Sequence, residues 1–235
     1  MQVMRPNNNW RVISARESQI YTERWQRMYP LSAFLFHRNE LACIQNETGS
    51  DGIRFYMALK EASEVDMVAV GVSSKIDLIG DSQNSKVYNF PMPCPSTCDV
   101  TSELYHNKNN KIDDVHCDLL YLKEPSSNCK EQLQEISIID AFTWTLAWQK
   151  QYDIKSFLFD INQLHIAMRD TNASRVRIYF GLDTDDRVFA IMVGVDNRGY
   201  DVLKDVYQVN EISPCGKDEI MSNICDELSF LYHTV

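Results

Sequence analysis

The sequence predicts an α+β fold made of two tandem copies of one α-α-β-β-β unit, with antiparallel sheets and helices packed on one face. Three observations predict it: an internal repeat, helix-capping patterns that recur in both halves, and strand-like runs that follow one another without an intervening helix. Strands that are contiguous in sequence favour an α+β arrangement over a parallel, doubly wound sheet.

The repeat is the most informative feature of the chain. A shift of 123 residues places 13–80 on 136–203 without a gap, and 19 of the 68 positions are identical. The identities include aromatic residues and runs, among them Trp25/Trp148, Tyr29/Tyr152, 34–36/157–159, Arg54/Arg177, Tyr56/Tyr179 and 70–72/193–195. A match that holds register over this length indicates the duplication of a domain-sized unit. We expect one repeat unit at residues 1–110 and a second at 111–235, with 107–111 as an exposed linker.

Each unit is predicted to open with a helix. Ser14 and Ser137 are each followed by an acidic residue three positions later, the pattern of a helix N-terminus at which a hydroxyl accepts a backbone N–H. The helices should run to about Met28 and Gln151. The second helix is apolar nearly all round, so we expect it to lie deeper, between the two copies.

A short extended segment follows in each unit, at 32–36 and 156–159, and then a second helix. Gly49 and Asn172 would end these second helices, because both residues tolerate a left-handed backbone. Each unit then has a predicted hairpin, formed by 52–58 with 66–72 in the first unit and by 175–181 with 189–195 in the second. A third strand is predicted at 86–90 in the first unit and at 205–209 in the second. A helix with one apolar face is predicted at 218–232.

Composition limits the classes of function. The chain has 235 residues, 44% hydrophobic and 24% charged, which is typical of a globular protein. A net charge of -10 disfavours a nucleic-acid partner, because binding to a phosphate backbone requires clustered Lys and Arg. Neither an apolar signal segment nor a span long enough for a bilayer is visible, so we expect no membrane partner. Seven cysteines, an odd number, predict reduced thiols in a cytoplasm.

Two arginine–tyrosine pairs are candidate ligand-binding residues. Arg54 and Tyr56, and their counterparts Arg177 and Tyr179, should project from the same face of their strand. The alternate residues Ile53, Phe55 and Met57 should face the core. Such a pair can bind a carboxylate or a phosphate through a planar guanidinium and a hydroxyl. In the alternative interpretation, each arginine anchors a neighbouring acidic group or helix end and each tyrosine covers apolar surface.

Cys94 and Cys98 are candidate metal ligands. Two thiols at this spacing could form half of a zinc site, completed by His106, His116 or Cys117. The spacing is loose, however, and the other copy retains only Cys215, so a pair of reduced cysteines in a proline-rich turn is the alternative. His165 is expected in the core. No dinucleotide-binding, phosphate-loop or nucleophile-elbow motif is present, and no cofactor is predicted.

The segments Gly-Ile-Arg-Phe-Tyr, Met-Val-Ala-Val-Gly-Val and Pro-Met-Pro-Cys-Pro-Ser-Thr-Cys resemble those of a group of uncharacterised proteins from Bacteroidetes bacteria. The resemblance covers residues 13–98 and, less closely, 136–216, where Pro214-Cys215-Gly216 replaces the longer cysteine motif. It implies a bacterial, cytoplasmic origin and nothing about a substrate.

These patterns lead to one expected function and two alternatives. The expected function is that of a non-enzymatic cytoplasmic binding or scaffolding protein, whose partner occupies the cleft between the two repeats. The first alternative is a small-molecule enzyme or sensor in which Arg54, Tyr56, Arg177 and Tyr179 line a pocket for an anionic ligand. The second is a zinc-stabilised module around Cys94 and Cys98.

Overall fold

The computed structural model describes residues 10–60, 64–80, 86–94, 97–106, 128–129, 133–162, 164, 173 and 175–209. Their helices are α1 (Ala15–Met28), α2 (Arg38–Thr48) and α3 (Ile138–Gln149). Their strands are β1 (Trp10–Ile13), β2 (Ala33–His37), β3 (Gly52–Leu59), β4 (Val65–Ser73), β5 (Ile76–Asp77), β6 (Val87–Tyr88), β7 (Met92–Cys94), β8 (Ser156–Asp160), β9 (Arg175–Leu182), β10 (Val188–Val195) and β11 (Asp201–Val209). The predicted linker at 107–111, the helix at 218–232, and His116, Cys117, His165 and Asn172 lie outside the described residues.

The helix boundaries follow the capping residues. Ser14 Oγ accepts a hydrogen bond from the backbone N–H of Glu17 at 3.1 Å, and Ser137 Oγ accepts one from Asp140 at 3.0 Å. Helix α2 ends at Gly49, whose φ of 66° places it in the left-handed region. These predicted starts and stops are confirmed. Among the described residues, no helix is long and apolar enough to cross a membrane.

The strands form two antiparallel sheets, which confirms the α+β class. The six-stranded sheet has the order β1-β11-β10-β9-β2-β7, and the five-stranded sheet has the order β5-β4-β3-β8, with β6 paired to β4. Both sheets combine strands from the two halves of the sequence. Strand β2 pairs with β9, and β8 pairs with β3, so each half contributes one strand to the hairpin of the other half.

The two exchanged pairings have the same register. Residues 33–37 of β2 run against 179–175 of β9, and residues 156–160 of β8 run against 56–52 of β3. A shift of 123 residues converts one set of partners into the other. This equivalence supports the duplication inferred from the sequence. The predicted boundary near residue 110 divides the sequence but does not divide the sheets, because each sheet contains strands from both sides of it.

The main core lies between the facing surfaces of the two sheets. Its aromatic residues pack across the gap. The ring centroids of Phe34 and Phe55 are 5.0 Å apart, and those of Phe157 and Phe180 are 4.3 Å apart. Two fully buried tryptophans, Trp25 of α1 and Trp148 of α3, belong to the same cluster. Alternation along β3 places Phe55 on this inner face and Tyr56 on the outer face, as the period of a strand predicts.

The predicted position of α3, the helix that opens the second unit, is wrong. Instead of lying between the two halves, α3 packs on the outer face of the five-stranded sheet, where Ala141 joins the cluster of Tyr56 and Val70. Its side chains Ile139 and Phe142 are 78% and 42% exposed. Only the C-terminal end of α3 reaches the central core, through Trp148. An apolar composition does not require complete burial, because much of a folded protein's surface is itself apolar.

The prediction of reduced cysteines is also wrong for the four cysteines that the structure describes. Disulfides join Cys43 to Cys129 and Cys94 to Cys98. An odd number of cysteines excludes complete pairing but leaves room for two bridges, so counting alone was insufficient. Disulfides persist mainly in oxidising environments, which removes the main reason for the predicted cytoplasmic location.

Candidate functional site

The first arginine–tyrosine pair binds an internal aspartate. Arg54 Nη1 lies 2.5 Å from Asp77 Oδ1, and the Tyr56 hydroxyl donates to Asp77 Oδ2. A second guanidinium nitrogen of Arg54 donates to the carbonyl oxygen of Lys75 at 2.9 Å. Arg54 and Asp77 have side-chain exposures of 3% and 2%. The cluster therefore fastens the β4–β5 turn to the outer face of the five-stranded sheet.

The second pair makes the equivalent contacts in the six-stranded sheet. Arg177 Nη1 bonds to Asp201 Oδ1, and the Tyr179 hydroxyl donates to Asp201 Oδ2 at 2.6 Å. Arg177 Nη2 also donates to the carbonyl oxygens of Thr97 at 3.0 Å and Gly199 at 3.2 Å. Arg177, Tyr179 and Asp201 are essentially inaccessible to solvent.

A loop from the first half, residues 97–106, covers this second cluster. The Ser102 hydroxyl donates to Asp201 Oδ2 at 2.6 Å, and the Asp201 backbone N–H donates to Asp99 Oδ2 at 2.8 Å. The Cys94–Cys98 disulfide lies at the start of this loop and is buried with Tyr179. The second cluster is therefore held by both halves of the chain.

Burial dominates the titration of the second cluster. It raises the pKa of Tyr179 well above its usual value, and the charge of Asp201 adds to this effect. Burial also raises the pKa of Asp201, while Arg177 and the hydrogen bonds from Ser102 and Tyr179 oppose the increase. Tyr179 therefore remains a neutral phenol that donates to the carboxylate.

The four predicted ligand-binding residues do not form one site. Arg54 and Tyr56 lie in the five-stranded sheet, whereas Arg177 and Tyr179 lie in the six-stranded sheet. Each pair binds an internal acidic group, which is the anchoring arrangement of the alternative interpretation. A ligand could reach these guanidinium groups only after the covering turns had moved. The anionic-ligand pocket remains a prediction that these contacts do not support.

The two aspartates that complete the clusters were not predicted from the sequence. Asp77 and Asp201 differ by 124 positions rather than 123, because the β10–β11 turn is one residue longer than the β4–β5 turn. The ungapped shift therefore places Asp77 opposite Tyr200. An alignment that allowed one insertion within the turn would have matched the two acids. Asp77 follows Arg54 in the sequence by nearly the same number of residues as Asp201 follows Arg177.

The described structure does not support the zinc alternative. A cysteine in a disulfide has no thiolate to offer a metal ion, and Cys94 and Cys98 are bonded to each other. His106 Nε2 lies 3.0 Å from Thr22 Oγ1. In the described part of the chain, no three His, Cys, Asp or Glu side chains converge as a metal site.

Two tyrosines, one from each half, meet at the junction of the halves. Tyr29 and Tyr152 are half-buried, and their ring centroids are 6.3 Å apart. Tyr29 stacks on Trp25 at 4.1 Å, and Tyr152 lies against Trp148 at 4.2 Å. We refer to Tyr29 and Tyr152 as the junction tyrosines.

The tryptophans that support the junction tyrosines are fixed. Trp25 Nε1 donates to the Leu31 carbonyl oxygen at 2.6 Å, and Trp148 Nε1 donates to the Ile154 carbonyl oxygen at 2.7 Å. Both indoles are fully buried. Burial, followed by the charge of Asp153, raises the pKa of Tyr29. The junction thus presents two partly exposed aromatic rings on a rigid support.

The β9–β10 turn contains a carboxylate whose effect depends on pH. Burial alone would raise the pKa of Asp183, but hydrogen bonds from the Arg187 side chain and from the backbones of Arg187 and Asp185 lower it overall. A lowered pKa in the folded state means that Asp183 stabilises the fold above its unfolded pKa of about 4, and that this contribution is lost as pH falls through the folded pKa.

We therefore expect Asp183→Asn to destabilise the protein more at pH 6 than at pH 2. The measurement is urea unfolding of both proteins at several pH values across this range. A difference in unfolding free energy that stays constant with pH would contradict the proposed role of the carboxylate charge.

Comparisons with known proteins identify no relative. No family model matches the chain, and neither the curated proteins nor the solved structures contain a significant match. The resemblance to the Bacteroidetes group therefore remains a prediction from the quoted motifs.

Proposed function

We propose that this protein is a non-enzymatic binding or scaffolding protein, and that a protein partner binds at the junction of its two halves. The observation that carries the proposal is the pair of partly exposed junction tyrosines, one from each half, supported by buried tryptophans. The sequence predicted the cleft between the two repeats as the interaction surface, and we place the surface at the junction tyrosines instead. The surface is a rigid aromatic platform, because the main core fills the space between the sheets.

The residue types suit protein recognition. Tyrosine and tryptophan are enriched among residues that dominate binding energies, because they offer large, rigid contact areas with a polar tip. Here the buried indoles and their hydrogen bonds hold the support in place before binding. Less side-chain entropy is lost when the contact surface is already ordered.

The carboxylate of Asp153 guides the choice of partner. Asp153 follows Tyr152 directly, is exposed, and raises the pKa of Tyr29 through its charge. The chain as a whole carries a net charge of -10. Tyrosine faces and a nearby carboxylate attract cations. We therefore assign the surface to a basic protein segment that presents arginine or lysine beside apolar side chains.

The interlocked sheets support a scaffolding role. Each hairpin depends on a strand from the other half, and the Arg177 cluster receives contacts from the loop at 97–106. The two halves cannot separate without breaking both sheets. The relative position of Tyr29 and Tyr152 is therefore fixed by the fold.

A photocrosslinking amino acid placed at position 29 provides the first test of the proposal. A matched variant carries the same group at Thr143, an exposed position on α3. We expect a protein that crosslinks at position 29 and is absent at position 143. The crosslinked protein is then purified, and its affinity is measured by calorimetry for the parent chain and for the tyrosine variants.

The double variant Tyr29→Ala/Tyr152→Ala should bind this purified partner at least about 30-fold more weakly, the effect of roughly 2 kcal/mol at a dominant contact. Tyr29→Phe/Tyr152→Phe should retain most of the affinity because the rings remain. Thermal unfolding verifies that each variant is folded. Equal affinity of the alanine variant, or identical crosslinking at positions 29 and 143, would refute the proposal.

A further inference from the structure

The aromatic rings of the junction occupy equivalent positions in the two halves. A shift of 123 residues converts Trp25 and Tyr29 into Trp148 and Tyr152. Each tyrosine ring lies against the tryptophan of its own half, with centroids 4.1 Å apart in the first half and 4.2 Å apart in the second. The rings alone would therefore offer the same contacts to either end of a partner segment.

The residues beside each junction tyrosine break this equivalence. Met28 precedes Tyr29 and is 62% exposed, whereas the corresponding residue of the second half is the exposed amide Gln151. Pro30 follows Tyr29, whereas the corresponding residue of the second half is the exposed acid Asp153. The first-half edge of the junction is therefore apolar, and the second-half edge is polar and acidic.

The acidic edge acts across the junction. Burial and then the charge of Asp153 raise the pKa of Tyr29, although the two residues belong to different halves. The rings of Tyr29 and Tyr152 are also in reach of each other, with centroids 6.3 Å apart. A cation placed over these rings would be attracted both by their faces and by the carboxylate. The two edges therefore belong to one surface.

We propose that the two edges select different side chains of the partner, so that Asp153 binds an arginine or lysine and Met28 binds an aliphatic side chain. The inference rests on the proposed function, because it assigns the residues that recognise the partner at the junction. Alternate side chains of an extended segment share one face and lie roughly 6.5–7 Å apart, which matches the spacing of the junction tyrosines. The basic and aliphatic residues should therefore be two positions apart in the partner.

Each edge disfavours the side chain that suits the other edge. An aliphatic group packed on Asp153 would remove water from the carboxylate without replacing its hydrogen bonds. A cation packed on Met28 would lose water without gaining an opposite charge. The unbranched, flexible side chain of methionine instead adapts to aliphatic groups of different shape. A mixed pair should therefore bind better than two basic or two aliphatic residues.

A set of four synthetic peptides tests this selection. The twelve-residue peptides differ only at their sixth and eighth positions, which carry arginine and leucine, two arginines, two leucines, or two serines. Each is titrated into isotopically labelled full-length protein, and the affinity and the location of binding are measured by nuclear magnetic resonance. We expect the mixed peptide to bind at least about 5-fold more tightly than any other, with shifts at 28–30 and 151–153.

Two variants of the protein separate the contributions of the edges. Asp153→Asn removes the charge and should weaken the arginine-containing peptides by roughly 3–5-fold, with no effect on the peptide with two leucines. Met28→Gln introduces the residue type of the equivalent position, Gln151, and should weaken only the leucine-containing peptides. Asp140→Asn is the matched control, because it removes an exposed charge from the other end of α3. It should leave all affinities unchanged.

The outcomes distinguish this inference from the proposed function. If no protein crosslinks at position 29 and no peptide binds, both are refuted. If a partner crosslinks at position 29 but binds Asp153→Asn and Met28→Gln as tightly as the parent, only the assignment of the edges is overturned. Equal affinities for the mixed and uniform peptides, or an equal loss in Asp140→Asn, would also overturn it. Thermal unfolding verifies that the variants are folded.

Discussion

Asp201→Ala is expected to lower the free energy of unfolding by about 3–5 kcal/mol, because it leaves the buried guanidinium of Arg177 without its counterion. The loss would be a large part of the roughly 5–15 kcal/mol that typically stabilises a domain. The Tyr179 and Ser102 hydroxyls would also lose their shared acceptor. The measurement is equilibrium unfolding in guanidinium chloride, followed by circular dichroism.

Two further variants separate the lost charge pairing from lost packing. Asp77→Ala removes the equivalent acid of the first cluster and should have a similar, large effect, because Arg54 is also buried. The double variant Arg177→Met/Asp201→Leu should be more stable than Asp201→Ala, because it leaves no unpaired charge. A loss below about 1 kcal/mol for Asp201→Ala, or no recovery in the double variant, would contradict a stabilising buried pair.

Removing the Cys43–Cys129 disulfide is expected to have the second large effect. The bridge joins residues 86 positions apart, so in the chain-entropy model it restricts the unfolded chain by roughly 4.5 kcal/mol. The Cys94–Cys98 bridge closes an interval of only four residues, for which the same model gives about 2 kcal/mol. Cys43→Ala/Cys129→Ala should therefore destabilise the protein more than Cys94→Ala/Cys98→Ala.

The measurement is denaturant unfolding of the parent and both double variants, with and without a dithiol reductant. The reductant should lower the stability of the parent and have a smaller effect on Cys43→Ala/Cys129→Ala. Thiol titration of the unfolded, unreduced parent should detect no more than three free cysteines of the seven if both bridges are present. Seven reactive thiols and no response to reductant would contradict the bridges.

Local chemistry made several elements predictable from the sequence. Ser14 and Ser137 each have an acid three residues later, and each caps a helix as that pattern indicates. The hairpins β3–β4 and β9–β10 follow from apolar runs separated by short turns. These features depend on residues that are close in sequence, so their hydrogen bonds and periodicity can be predicted from the sequence alone.

The pairing of strands between halves could not be predicted in the same way. The alternation of side chains in 33–37 or 156–160 determines which face is buried but does not identify the neighbouring strand. A non-exchanged unit would place β2 beside β3 and would bury the same phenylalanines. The choice depends on how the chain turns between elements, and the repeat gives no information about it because both arrangements are symmetric.

The candidate site illustrates a similar limit. The sequence placed Arg54 and Tyr56 on one face of a strand, and the structure agrees. Whether that face binds a ligand or an internal acid depends on the position of Asp77, which follows the neighbouring β4–β5 turn. The junction tyrosines were visible as the match Tyr29/Tyr152, yet their meeting depends on the tertiary packing of two helix ends.

Nuclear Overhauser contacts between strands provide the most direct test of the interlocked fold, on which the junction surface depends. In isotopically labelled full-length protein, we predict Hα–Hα cross-peaks between β2 and β9 and between β8 and β3. They should occur at the non-hydrogen-bonded pairs of the register that sets 33–37 against 179–175 and 156–160 against 56–52. Cross-peaks between β2 and β3 and between β8 and β9 instead would show two separately folded halves and would contradict the account.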